Sequence, residues 1–195
     1  MRRLSVAAAV AMAACLWAGG AVARDRMSDE VLDETNFART QPQAYARWLD
    51  EEAGRSGSWG AQPWARQDPQ AVDEAIDFLM RQKPLPPLSY DERLAAVARA
   101  YVRAQGRTRE QGHVAPDGRG FSQRIRSAGV HAGIAAEGIS YGQDSPRDVV
   151  RQLIVDSGVR SRGHRRDIFG AGYEAAGVSC GDHARYGVMC VIEYA

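Results

Sequence analysis

Four side chains spread along the chain have the chemistry of a polar site. They are His113 in Glu110-Gln111-Gly112-His113, Glu137 in Ala135-Ala136-Glu137-Gly138, Asp156 after Leu153-Ile154-Val155, and His164 in Arg162-Gly163-His164-Arg165. Imidazole titrates near pH 6.5, so each histidine can exchange a proton at neutrality or offer a neutral nitrogen, and a carboxylate beside it can orient the ring. The four groups could serve as acid and base in hydrolysis. The sequence offers no recognisable activated nucleophile to go with them: there is no free reactive cysteine and no His-Glu-x-x-His helix. Taken singly, each also reads as a surface or hydrogen-bonded structural residue.

Asp156 carries more information than the others. It follows Val149 and Leu153 at intervals of four and three, which puts it on the apolar face of a helix and points it inward. A carboxylate toward a helix C-terminus opposes the dipole, so a cation has to compensate it: Arg162, Arg165 or His164. His131 and His183 fit no such pattern and read as exposed or local turn residues.

The elements that must position these groups are legible to different degrees. Ser28 before Asp29 and Glu30 reads as the cap of a first helix carrying Val31, Leu32 and Phe37, and Pro42 opens a second piece through Tyr45, Trp48 and Leu49. Residues 52–69, rich in Gly, Ser and Pro, read as a surface loop pinned by Trp59 and Trp64. Val72, Ile76, Leu79 and Met80 recur at helical spacing. Ser89-Tyr90-Asp91-Glu92 reads as a capping box for a helix whose stripe is Leu94, Val97, Ala98, Tyr101 and Val102. A short helix from Phe121 ends at Gly129, and Ser145-Pro146 starts another with Val149, Val150, Leu153 and Ile154 inward. The segments Tyr173 to Cys180 and Tyr186 to Tyr194 read as strands, with Val188, Cys190, Ile192 and Tyr194 on one face. Helices followed by a terminal hairpin make this an α+β chain.

The N-terminus has the order of a secretory signal: Arg2-Arg3, an apolar run from Leu4 to Ala18, and Ala21-Val22-Ala23 as a cleavage site. Residues 1–23 are therefore expected to be removed, giving an extracellular or periplasmic protein. Cys15, with Met12 in place of the usual Leu, is the minor alternative as a lipid-anchoring site. About 170 residues remain, the size of one domain over 24–195. With 25 basic and 24 acidic residues there is no electrostatic footprint for nucleic acid. Cys180 and Cys190 are the cysteines left after cleavage, and in an oxidising compartment a disulfide is the default over a metal site with His183. A tight turn at Gly181-Asp182-His183-Ala184 would put them about 17 Å out of register, so the bridge requires a wide loop between them.

From about Ser28 to its end the chain resembles the CAP superfamily, the cysteine-rich secretory, antigen and pathogenesis-related proteins. The resemblance is carried by Asn36-Phe37-Ala38-Arg39 before a proline, by Leu88 and Leu94 to Ala98, by His113, by the Glu137 segment and by Gly163-His164-Arg165 before the last strands. It implies a three-layer α-β-α sandwich whose central cleft is lined by His113, Glu137, Asp156 and His164, with the two imidazoles near enough to share an ion or a water. It also implies that His113 and His164 can ligate a divalent cation such as zinc, whose affinity would fall below about pH 6 as imidazole protonates. The sequence departs from the family pattern at Ala136-Glu137-Gly138, where Gly-Glu-Asn is usual, at Leu153, where an aromatic is usual, and at Asp156, where Glu is usual. The function implied is a monomeric, non-enzymatic binding module for a small ligand, a lipid, a wall component or a protein partner. A metal-dependent hydrolase or peptidase and a structural envelope protein are the alternatives.

Overall fold

A computed structural model describes residues 26–56 and 67–195. Residues 1–23, expected as a secretory signal, with Cys15 among them, and the expected loop anchors Trp59 and Trp64 lie outside the described residues. Helix α1 spans residues 26–40 and α2 spans Pro42–Ser56, with the Pro42 ring at the joint. The expected Ser28 cap is not one: the chain is already helical at residue 26, and the Ser28 hydroxyl accepts from the Cys180 N–H at 3.0 Å, tying α1 to the sheet. Residues 52–56 remain helical, and Pro69 belongs to α3 (Pro69–Arg81), capped by Asp68. The expected loop over 52–69 is therefore helical at both of its ends, and residues 57–66 lie outside the described residues; Pro69 is accommodated because proline in a first turn costs no hydrogen bond. Within α3, Val72, Ala75 and Leu79 are buried and Met80 is exposed, one position off the stripe.

Strand β1 is Ser89–Tyr90, and α4 (Glu92–Gln105) is capped by Asp91, whose carboxylate accepts from the N–H groups of Arg93 and Leu94. Ser89 is thus a strand residue, not the cap, and the predicted stripe from Leu94 to Val102 is buried throughout. The remaining elements are α5 (Phe121–Ser127), β2 (Ala136–Tyr141), α6 (Pro146–Val155), α7 (Gly163–Ile168), β3 (Ala175–His183) and β4 (Gly187–Tyr194). Gly129 closes the α5 turn at φ 70, as its place in the sequence predicts.

The sheet order is β1-β3-β4-β2, with β1 parallel to β3 and the other pairs antiparallel. Cys190, Ile192 and Tyr194 face a core built with α1, α2, α3 and α6, while Met189 and Val191 face Ala98, Tyr101 and Val102 of α4. The alternation predicted for β4 is real, but both of its faces are covered, which makes this an α-β-α sandwich. The contact of α4 with β3 is so close that a Cβ on Gly177 would lie 1.9 Å from the Ala95 nitrogen, so only glycine fits there.

Cys180 and Cys190 are bridged, but not across a wide loop. They are direct cross-strand partners with Cα atoms 4.1 Å apart, because β3 runs on to His183, which pairs with Gly187. Only residues 184–186 turn, three positions beyond the start of the Gly181-Asp182-His183-Ala184 turn suggested by the sequence. No helix among the described residues is long and apolar enough to cross a membrane.

Candidate functional site

Strand β2 is an edge strand, and the two histidine–acid pairs sit on the two sides of it. On the α4 side, Glu137 projects from β2 with its side chain 1% exposed and its Oε1 2.8 Å from Nδ1 of His113. Its Oε2 accepts from Nη2 of Arg124, a buried guanidinium that stacks 3.9 Å above the Tyr101 ring. Arg124 also donates to the carbonyl oxygen of His113 at 2.7 Å, so one cation holds both members of the pair. The turn before His113 is pinned further. Tyr101 donates its hydroxyl to the Gly112 oxygen, and Gly112 donates its N–H to the Tyr141 hydroxyl at 3.1 Å. The His113 ring is 51% exposed, at the rim.

On the other side, α6 ends at Asp156, which is a C-cap at φ 55 and ψ 42 rather than a member of the helix face. The inward burial expected from its spacing is observed, but it arises from this left-handed turn. The turn carries the carboxylate back to α7, where Oδ2 accepts from the His164 N–H at 3.0 Å and Oδ1 lies 2.7 Å from His164 Nδ1. Of the three cations the sequence offered, His164 takes the carboxylate. Arg165 instead donates to the carbonyl oxygens of Ile154 and Val155, and Arg162 to that of Asp156, while both contact Glu74. The Asp156 hydrogen bond raises the His164 pKa above its ordinary value against the opposing effect of burial.

A cavity of about 360 Å³ opens beside the Asp156–His164 pair, lined among others by Gln111, Ile139, Tyr141, Leu153, His164 and Tyr186. His164 and Asp156 line it directly, and His113 stands two residues from Gln111. Asp167 on α7 lies within electrostatic reach of both imidazoles, and burial raises its carboxyl above the usual range. His183, expected as an exposed or turn residue, is indeed at the turn but buried. Its Nδ1 accepts from the N–H groups of Arg185 and Tyr186, and its Nε2 meets the Glu110 oxygen at 3.0 Å. His131 is exposed.

Among the described residues no three His, Cys, Asp or Glu side chains gather as a metal-holding group. Both Nδ1 atoms and their carboxylates are committed to each other, which leaves one imidazole nitrogen per pair. Tetrahedral zinc usually takes three or four protein ligands, whereas the two pairs offer two imidazole nitrogens, each oriented by a carboxylate on Nδ1.

Sequence reasoning missed Arg124, Tyr141, Tyr186, Asp167 and Glu193. Only Glu193 left a trace, as an acid inside the apolar run Val188 to Tyr194.

No curated protein matches the sequence. Among solved structures, an outer surface protein of Borrelia burgdorferi is 20% identical, with a TM-score of 0.48 over 56% of this chain and 77% of that one. An extracellular SCP-domain protein of Bacillus anthracis is 19% identical, with a TM-score of 0.48 over 64% of this chain and 38% of its own. A cysteine-rich secretory protein of Staphylococcus aureus is 19% identical, with a TM-score of 0.42 over 66% and 39%. The chain spans well under half of the latter two proteins. The assignment rests on the sequence profile of the CAP family, described as the cysteine-rich secretory protein family, which matches residues 32–194. The chain belongs to that family.

Proposed function

We propose that this is an exported, non-enzymatic binding module whose cavity takes a small amphiphilic ligand, such as a lipid or a wall fragment. The observation that carries the reading is the division of labour at each imidazole. Nδ1 is held by a buried carboxylate, and no described residue hydrogen-bonds Nε2, which leaves it to meet a polar group of the ligand. Tyr141, Tyr186, Ile139 and Leu153 supply apolar and aromatic surface beside it. Among the described residues neither imidazole is hydrogen-bonded to a hydroxyl. The Ser157 hydroxyl at the cavity accepts from the Asp68 N–H at 3.0 Å and is not bonded to a histidine. Export rests on the basic, apolar and small-residue order of residues 1–23.

The test is native mass spectrometry of the secreted protein, with and without a joint substitution of His113 and His164 by Ala. The expected result is an N-terminus at Arg24 and a co-purifying small molecule that the double variant loses. Reproducible cleavage of a peptide or ester substrate, abolished by the same substitutions, would overturn the non-enzymatic reading in favour of a hydrolase.

A further inference from the structure

Glu193 is wholly buried on β4 beneath α4, and neither of its carboxyl oxygens meets a donor among the described residues. Its neighbours across the sheet are Gly177 on β3, which has no side chain, and Glu137 on β2. The polar or charged groups facing the two acids are Arg124 from α5, Tyr101 from α4, Tyr141 from β2 and His113 from the turn after α4. The pair therefore has two buried carboxyl groups and one permanent cation, and that cation is already bonded to Glu137. Two like charges side by side without water are strongly unfavourable. Two facing carboxyl groups form a hydrogen bond only if one of them carries a proton.

We propose that Glu193 is a protonated, neutral carboxylic acid that donates to Glu137 and so acts as a positioning residue for the Glu137–His113 pair. The proton belongs on Glu193 because Glu137 already accepts from Arg124 and lies against His113, whereas Glu193 has no other partner among the described residues. Burial, and then the adjacent Glu137 charge, push the Glu193 carboxyl well above its ordinary range. With this third hydrogen bond, Glu137 is held from three sides and its Oε1 is fixed toward His113. The assignment holds whether or not the cavity binds a ligand.

Wild type and Glu193→Gln are compared by urea unfolding from pH 5 to pH 8. A carboxyl whose folded pKa is raised above the unfolded value near 4.5 contributes stability that is complete below that value and is lost as pH rises toward the folded one. Between the unfolded and the folded value the wild-type unfolding constant should therefore climb with pH, by up to about tenfold per unit, relative to Glu193→Gln, which keeps a neutral donor and has no proton to lose. Parallel pH profiles would overturn the proposal. If Glu193→Gln does not fold, infrared spectroscopy of wild type at pH 7 decides instead. The C=O stretch of a protonated carboxyl is expected, and its absence refutes the assignment. For positioning, the ring ¹⁵N shifts of His113 should be kept in Glu193→Gln and displaced in Glu193→Leu; identical shifts in all three proteins would reduce Glu193 to a structural role.

Discussion

Asp156→Asn isolates the charge at the end of α6 with little else altered. Asparagine has the same shape and tolerates the left-handed conformation that residue 156 adopts at φ 55, so the turn itself is not strained by the change. Its amide oxygen can still accept from the His164 N–H, now 3.0 Å from Oδ2. What is lost is the anion 2.7 Å from His164 Nδ1. A hydrogen bond to a charged group contributes about 1.5–3 kcal/mol and a neutral one about 0.5–1.5 kcal/mol. The His164 side chain is 23% exposed and Asp156 3%, so screening is weaker than for a surface pair. A destabilisation of about 2 kcal/mol is expected at pH 6, equivalent to about 4–8 °C in Tm for a domain of this size. The sign with pH follows from the raised His164 pKa. Its contribution is complete below the unfolded value near 6.5 and falls away as pH climbs through the folded value, so the penalty should shrink at pH 8.5. Urea unfolding at the two pH values, with an NMR titration of His164 in both proteins, measures this. A penalty that grows with pH, or a His164 titration that does not move downward, would refute the reasoning.

Reducing the Cys180–Cys190 bridge, or replacing both cysteines with Ser, should cost about 3 kcal/mol on the chain-entropy model for a closed loop with a sequence separation of 10. A fall in Tm under reducing conditions, seen in wild type and absent in the Ser variant, checks it. Arg124→Met leaves the buried Glu137 and Glu193 carboxyl groups without a cation and should cost about 3–5 kcal/mol in urea unfolding, far more than loss of a surface arginine.

What could be read from the sequence was whatever is encoded within one turn of helix or one hairpin. The α4 stripe, the Pro42 and Pro146 starts and the Gly129 stop follow from side-chain periodicity and backbone freedom, which need no distant partner. The family resemblance supplied the His113, Glu137, Asp156 and His164 set, and each histidine is found on its acid. Cap and register details were less legible. Asp91 displaced Ser89 as the α4 cap because Ser89 was already paired in β1, and β3 ran three residues further because His183 could bury its ring and cap the turn. Asp156 was expected inward from helical spacing, but it is buried because the chain leaves α6 in a left-handed turn, a conformation with no spacing signature. Arg124 and Glu193 were invisible as a pair, since 69 residues of sequence separate an arginine on a short helix from an acid on the last strand. Burial and charge balance couple them, and both arise only when β2 closes against β4 and brings Glu137 between them.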